Sequence, residues 1–258
     1  MAVITLTTDW GTRDFFVAAL KGELLKQCPN VPVIDISHHV KQYDIIEGAL
    51  ILRNSWSHYP EGTVHVVGLI AHGGHKSSAI ALKHKGHYFI GNNDGFFSLA
   101  FDEVPSEKYY IMDAKGAMVI PSLQVLADSA AYLAKGGKVS DMGKPVDDYL
   151  VKTMFQPYLE DDSISGAVIY QDSFGNLITN VTSELFNRIG GGRAFEIHLR
   201  MREYMLSNIS TDYKEAGPGN MLVLFNSSGY LEIAICEGNA AELLYLRYGD
   251  TIRIDFLK

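Results

Sequence analysis

The feature that most limits what this chain can fold into is a change of period part-way along it. Up to about residue 150, strand-like runs at 3–7, 33–36, 64–69, 79–82 and 88–91 alternate with helical patterns at 13–27, 45–55 and 124–135. The last helix stops at Gly136-Gly137, a residue type that commonly ends helices. Such alternation requires a sheet with helices packed on it. Leu82 and Tyr88 bracket Lys83-His84-Lys85-Gly86-His87 like a hairpin, so the sheet is expected to be mixed. After a short acidic, polar stretch at 157–163 the helical period fades. Short runs at 166–170, 194–199, 221–225, 231–236 and 251–256, separated by Gly-rich turns, fit a small antiparallel barrel or sandwich. The chain, at 258 residues, is long enough for two domains with cores of their own. The expected division is 1–156 and 164–258.

Charge narrows the partners. A formal net charge of -8 gives no basic face for nucleic acid or an anionic membrane, which leaves a small molecule as the expected ligand. No run of about eighteen apolar residues and no basic leader followed by an apolar segment occurs, so the expected location is the cytoplasm. Cys28 and Cys236 are far apart and in no redox or zinc pattern, and the nine histidines form no HExxH pair. No metal is expected.

The strongest local signal is Thr7-Thr8-Asp9-Trp10-Gly11-Thr12-Arg13-Asp14, which places two carboxylates between an apolar strand and a helix on which Phe16, Leu20 and Leu24 recur. Asp9 then sits at a strand's carboxyl end, where open α/β sheets bind ligands, and its two oxygens suit a pair of neighbouring hydroxyls. A structural role competes: Asp9 or Thr12 would cap the helix and Asp14 would favour its positive end. Asp172-Ser173-Phe174-Gly175-Asn176 and Asn226-Ser227-Ser228-Gly229 likewise read as hairpin turns.

Taken together, Leu6 to Asp14, Asp35-Ile36-Ser37-His38, Glu47-Gly48-Ala49, Pro60-Glu61-Gly62-Thr63-Val64-His65, Phe174-Gly175-Asn176-Leu177-Ile178-Thr179-Asn180, Asn226-Ser227-Ser228-Gly229 and Glu237-Gly238-Asn239-Ala240-Ala241 carry a resemblance along nearly the whole chain. They resemble, in order, the family of S-adenosylmethionine hydrolases (hydroxide adenosyltransferases), fluorinase and chlorinase. The resemblance implies an α/β N-terminal domain with a helix-flanked, mixed sheet, followed by a small antiparallel β-barrel C-terminal domain. It also implies a homotrimer whose nucleoside site joins the first domain of one subunit to the second domain of its neighbour. In that family water or a halide attacks C5′ of the ribose while methionine leaves. S-adenosylmethionine is thus the substrate, and no cofactor is implied. Carried onto matching positions, Asp9 would hold the ribose hydroxyls, Asp14 would lie near the methionine end and Tyr43 would form a wall. Phe174 would pack on the adenine and Asn176 would bond its edge. Asp172, Ser227, Asn239 and Ala240 would complete the contacts.

The nucleophile pocket departs from the family pattern. Ile70 stands where the family has Asp, Ser77 and Ser78 occupy the stretch where it has Arg, and Pro121 replaces its His. A Pro-Asp-Asn-Gly turn becomes Asn92-Asn93-Asp94-Gly95. Substitutes within the same segments are His72 or His75 as base and Ser122 as donor; His72 and His75 equally suit solvated loop positions. Three readings stay open: hydrolysis to adenosine and methionine, nucleoside binding without turnover, and halogenation.

Overall fold

The computed structural model describes residues 2–69, 78–199 and 205–257. The chain divides into two compact units, Met1–Met154 and Phe155–Lys258.

In the first unit the chain runs β1 (Ile4–Thr8), α1 (Phe16–Gln27), β2 (Val33–Ser37), α2 (Ile45–Arg53), β3 (Val64–Gly68), β4 (Ala79–His84), β5 (His87–Asn92), α3 (Phe96–Ala100), β6 (Glu107–Tyr110) and α4 (Leu123–Ala134). The sheet order is β2-β1-β3-β5-β4-β6. The first four strands of that order are parallel, and β4 pairs antiparallel with β5 and β6, which makes the sheet mixed. β1 and β3 are buried along their whole length because both faces are covered. Ile4, Leu6, Val64 and Val66 share a core with Leu20, Leu24, Leu126 and Ala130 of α1 and α4. Val67, Ile80, Leu82 and Phe89 share one with Leu52 of α2 and with Phe96 and Phe97 of α3.

Several details differ from the sequence reading. α1 starts at Phe16 rather than Arg13, and its buried stripe is Val17, Leu20 and Leu24, while Phe16 is 46% exposed. One residue is about 100° of helix, enough to turn Phe16 away from the sheet. The β4–β5 turn is only two residues, Lys85 and Gly86, with φ of +45° and +80°, the left-handed pair that a tight hairpin demands. α3 and β6 went unread because each is too short to show a period.

The second unit runs β7 (Tyr158–Leu159), β8 (Ser163–Gln171), β9 (Leu177–Thr182), α5 (Ser183–Gly190), β10 (Phe195–His198), β11 (Met205–Leu206), β12 (Met221–Phe225), β13 (Tyr230–Ile235), α6 (Ala240–Leu243) and β14 (Thr251–Phe256). Its sheet, in the order β11-β10-β14-β8-β9-β13-β12 with β7 beside β8, is antiparallel throughout. It curls, barrel-like and nearly closed, around Ile164, Val168, Leu177, Val181, Ile197, Val223, Ile233 and Ile254. β9 has no clean alternation because two of its buried residues are polar. Thr179 donates to the Leu231 carbonyl, and Asn180 accepts from Ala167 N and donates to the Phe155 carbonyl, so both are satisfied inside. α5 carries its signals openly: the Thr182 cap, Glu184 in the first turn and left-handed Gly191 beyond the end.

Candidate functional site

In the first unit, Thr8 of β1 lies level with Gly68 of β3, and Val66 of β3 with Ile90 of β5. The carboxyl ends of these strands therefore form one edge. Asp9 follows β1 there and is only 3% exposed. Its Oδ2 accepts the backbone N–H of Tyr43 at 3.2 Å. Tyr43 has φ of +66°, a left-handed conformation that a non-glycine residue adopts only when its surroundings impose it. The same loop is tied down twice more: Gly11 N donates to the His38 carbonyl at 2.7 Å, and Thr8 Oγ1 lies 2.8 Å from His38 Nδ1.

Behind His38, Asp35 Oδ1 is 3.0 Å from Nε2, off the N–H direction, and Lys21 Nζ bonds Asp35 Oδ2 at 2.6 Å. Burial raises the Asp35 carboxyl, but the Lys21 and His38 contacts outweigh it and hold it below its ordinary value. Trp10 packs over Gly68, where a Cβ would stand 2.7 Å from its ring.

Neither Asp9 nor Thr12 caps α1: the cap position is Phe15, with no side-chain hydrogen bond and no acid in the first turn. That removes the capping role for Asp9. Asp14 is exposed, in the irregular turn just before the helix, and the Tyr43 ring is 44% exposed. The structure thus brings Asp9 and Tyr43 into contact.

Along the same edge, Asn92 Nδ2 donates to the Leu69 carbonyl and Asn93 N to the Ser78 carbonyl, each at 3.0 Å. Asp94 accepts Phe96 N, and burial, the larger influence, pushes its carboxyl up. Ala79 N donates to the Val119 carbonyl at 2.7 Å, which brings the segment before α4 to this edge. Ser122 is exposed at the N-cap of α4, its Oγ accepting Val125 N at 3.3 Å. Its hydroxyl already has a capping role. His72 and His75, with Ile70 and Ser77, lie outside the described residues.

The second unit has a cleft of about 680 Å3. It is lined by Asp172, Phe174 and Asn176 of the β8–β9 turn, by Tyr213, and by the segment from Ile235, at the end of β13, to Asn239. Asp172 organises the turn. Its Oδ1 accepts Phe174 N at 2.9 Å and Asn176 N at 2.8 Å, and its Oδ2 accepts Asn176 Nδ2 at 3.0 Å. The hairpin reading is therefore right for the backbone, and it leaves Phe174 80% exposed at the rim. Gly175 has φ of +85°, and a Cβ on it would lie 2.1 Å from Asn239 Oδ1; Ala241 N bonds its carbonyl at 2.9 Å. Asn239 caps α6 by accepting Glu242 N, and Ala240 behind it is fully buried.

Ser227 lies elsewhere. Leu177 of β9 pairs with Ile233, whereas Tyr230 pairs with Thr182 and Ser183 N bonds the Gly229 carbonyl. The 226–229 turn is therefore a strand length from the 172–176 turn. Tyr213, Cys236 and Glu237 line the cleft but are not among the site residues expected from the sequence. The left-handed φ of +54° at Glu237 leaves no sequence signal, and Tyr213 sits in a 3-10 turn, Tyr213–Ala216, without a period.

Among the described residues no cluster of three or more His, Cys, Asp or Glu is arranged to hold a metal, and no helix is long and apolar enough to cross a membrane. The N-terminal domain of the SAM hydroxide adenosyltransferases matches residues 4–143, and their C-terminal domain matches residues 166–253. An (R)-S-adenosyl-L-methionine hydrolase of Methanocaldococcus jannaschii is 29% identical over 98% of this chain and 95% of that protein. Another from Salinispora arenicola is 28% identical over 97% of each chain. A fluorinase of an Actinoplanes species is 26% identical over 98% of this chain and 97% of that protein. A crystal structure of an uncharacterized conserved protein from Thermotoga maritima has a TM-score of 0.86 at 26% identity, covering 98% of this chain and 100% of that one. With both domains matched in order, this chain belongs to the SAM hydroxide adenosyltransferase family.

Proposed function

We propose that this protein hydrolyses S-adenosylmethionine to adenosine and methionine. The observation that carries the reading is the buried Asp9 carboxylate at the carboxyl end of β1, touching the strained Tyr43 backbone, in a chain of this family. Water oxygen attacks ribose C5′, the C5′–sulfur bond breaks, and its electron pair stays on sulfur as methionine leaves. One proton is released. The sulfonium is already a good leaving group, so the protein's task is to hold the ribose and bring water into line about 3 to 3.5 Å from the carbon. In this reading Asp9 holds the two ribose hydroxyls and Asp14 faces the methionine end. Tyr43 walls the site. In the second unit Phe174 and Asn176 take the adenine, with Asp172, Asn239 and Ala240 shaping that cleft and Ser227 adding a ligand contact from the 226–229 turn, a strand length away. His72 or His75 serves as base, with Ser122 as donor. The active form is a homotrimer in the cytoplasm, and each subunit is divided into a nucleoside-binding domain at 1–156 and a barrel domain at 164–258.

A second reading, binding without turnover, is favoured by Ile70, Ser77, Ser78 and Pro121, which stand where the family resemblance calls for Asp, Arg and His. Incubating the purified protein with S-adenosylmethionine and following products by chromatography separates them. Adenosine and methionine in equal amounts support hydrolysis. Measurable binding without adenosine leaves the second reading, and 5′-halo-adenosine formed only with added halide indicates halogenation instead.

A further inference from the structure

Glu232 is a charged residue in the middle of β13 with only 3% of its surface exposed. It points away from the barrel core, on the same face as Ala234 and Cys236, where Ala216 of the 3-10 turn packs over Leu222, Leu224, Ala234 and Cys236. A carboxylate so placed needs donors, and each oxygen has one. Oε1 accepts the Tyr213 hydroxyl at 2.7 Å, and Oε2 accepts Asn226 Nδ2 at 3.2 Å. Burial, followed by the neighbouring carboxylate, pushes the Tyr213 phenol upward, so it stays a donor. Tyr213 lines the cleft. Asn226 closes the β12–β13 turn by accepting Ser228 N and Tyr230 N, each at 3.1 Å.

We propose that Glu232 is the positioning residue of the cleft, its carboxylate fixing the Tyr213 ring as the lip against which a purine nucleoside is held and tying that lip to the 226–229 turn. The ligand class rests on the hydrolase reading; the hold on the lip does not. The turn that carries Tyr213 is short, with Asp212 accepting Lys214 N at its start and its last residue, Ala216, packed on the apolar cluster below. Without the carboxylate the phenol has no buried acceptor, and the ring is released towards solvent. The 226–229 turn lies a strand length from the cleft, and Glu232 lies between the two, bonded to both sides.

The probe is Cys236, which lines the cleft, is 5% exposed and lies under the Ala216 contact. Cys28, equally buried in the first unit, is the internal reference. N-ethylmaleimide labelling is followed at each cysteine by peptide mass spectrometry, and adenosine binding is measured by calorimetry on the same full-length proteins. Tyr213→Phe and Glu232→Leu are expected to speed labelling of Cys236, leave Cys28 unchanged and weaken adenosine binding about tenfold, the loss expected for a hydrogen bond to a charged group. The double variant should lose no more than either single one, and Glu232→Gln, which keeps an acceptor for the phenol, should restore both properties. Unchanged Cys236 labelling in both Tyr213→Phe and Glu232→Leu would overturn the proposal. So would Cys28 accelerating in step with Cys236, since that marks general loosening. If the wild type fails to bind adenosine, the nucleoside reading falls, and the labelling still decides whether Glu232 holds the lip.

Discussion

In the first unit the carboxylate assigned to the ribose, Asp9, is 3% exposed and follows a strand buried along its whole length; in the second unit the ring assigned to the base, Phe174, is 80% exposed on a hairpin turn. Asp9 is gripped from outside itself: its carboxylate accepts from Tyr43, and the strand it follows is bonded to His38. The Phe174 turn is gripped from within, by Asp172 accepting three donors of its own loop. Charge explains the contrast. A carboxylate that must discriminate hydroxyls gains from a low-dielectric, preorganised setting, whereas an aromatic face needs only to be presented. The first half of the grip is therefore expected to be rigid and unforgiving, the second adaptable.

That contrast can be broken by substitution. Asp9→Ala should abolish nucleoside binding, a loss of more than about a hundredfold as expected for a desolvated charged partner, while circular dichroism stays native; binding within tenfold of wild type would end the assignment. Gly175→Ala tests a place where the second unit is unforgiving. With φ of +85° and Asn239 Oδ1 2.1 Å from the added carbon, it should cost about 2–3 kcal/mol in urea unfolding, and a cost below about 0.5 kcal/mol would show the two loops to be looser than described.

Acid sharpens the comparison from the other end of the first sheet. His65 is fully buried, its Nδ1 2.7 Å from Thr5 Oγ1 and its Nε2 3.2 Å from His87 Nδ1. Burial, aided by His87, lowers its pKa to about 3. The unfolded chain takes a proton near pH 6.5 and the folded one does not. The His65 contribution is therefore complete above pH 6.5 and lost progressively as pH falls towards 3, about 2 kcal/mol of it between pH 7 and 5. His84 and His87, also lowered by burial, act in the same direction. Urea midpoints for wild type and His65→Gln should converge on acidification; parallel curves would contradict this. The smallest effect belongs to the exposed ring. Phe174→Ala should weaken adenosine binding about tenfold, in line with base–aromatic stacking, with no change in melting temperature. A drop in stability would mean that the ring is structural.

How far the sequence carried depended on the distance between cause and effect. The mixed sheet, the change to an antiparallel barrel and the strand-end position of Asp9 follow from local period and turn chemistry, so they were legible. Phe16 was assigned to the buried stripe because Phe16, Leu20 and Leu24 share a spacing that Val17, Leu20 and Leu24 satisfy as well, and only the sheet decides which face is covered. The capping alternative for Asp9 fell only when α1 was seen to begin at Phe16. Ser227 and Asn239 entered together only through the family resemblance, and the distance between their turns, set by the six-residue β13, is not visible in either motif. Tyr213 and Glu232 meet across a gap of nineteen residues, a contact that no local pattern announces.

The central claim is most directly tested by incubating the protein with S-adenosylmethionine in water enriched in oxygen-18 and analysing the adenosine by mass spectrometry. Attack of water at C5′ predicts adenosine carrying one heavy oxygen, located on the 5′-hydroxyl, and no formation above background with Asp9→Ala. Adenosine without the label, or no adenosine from a protein that binds S-adenosylmethionine, would contradict it.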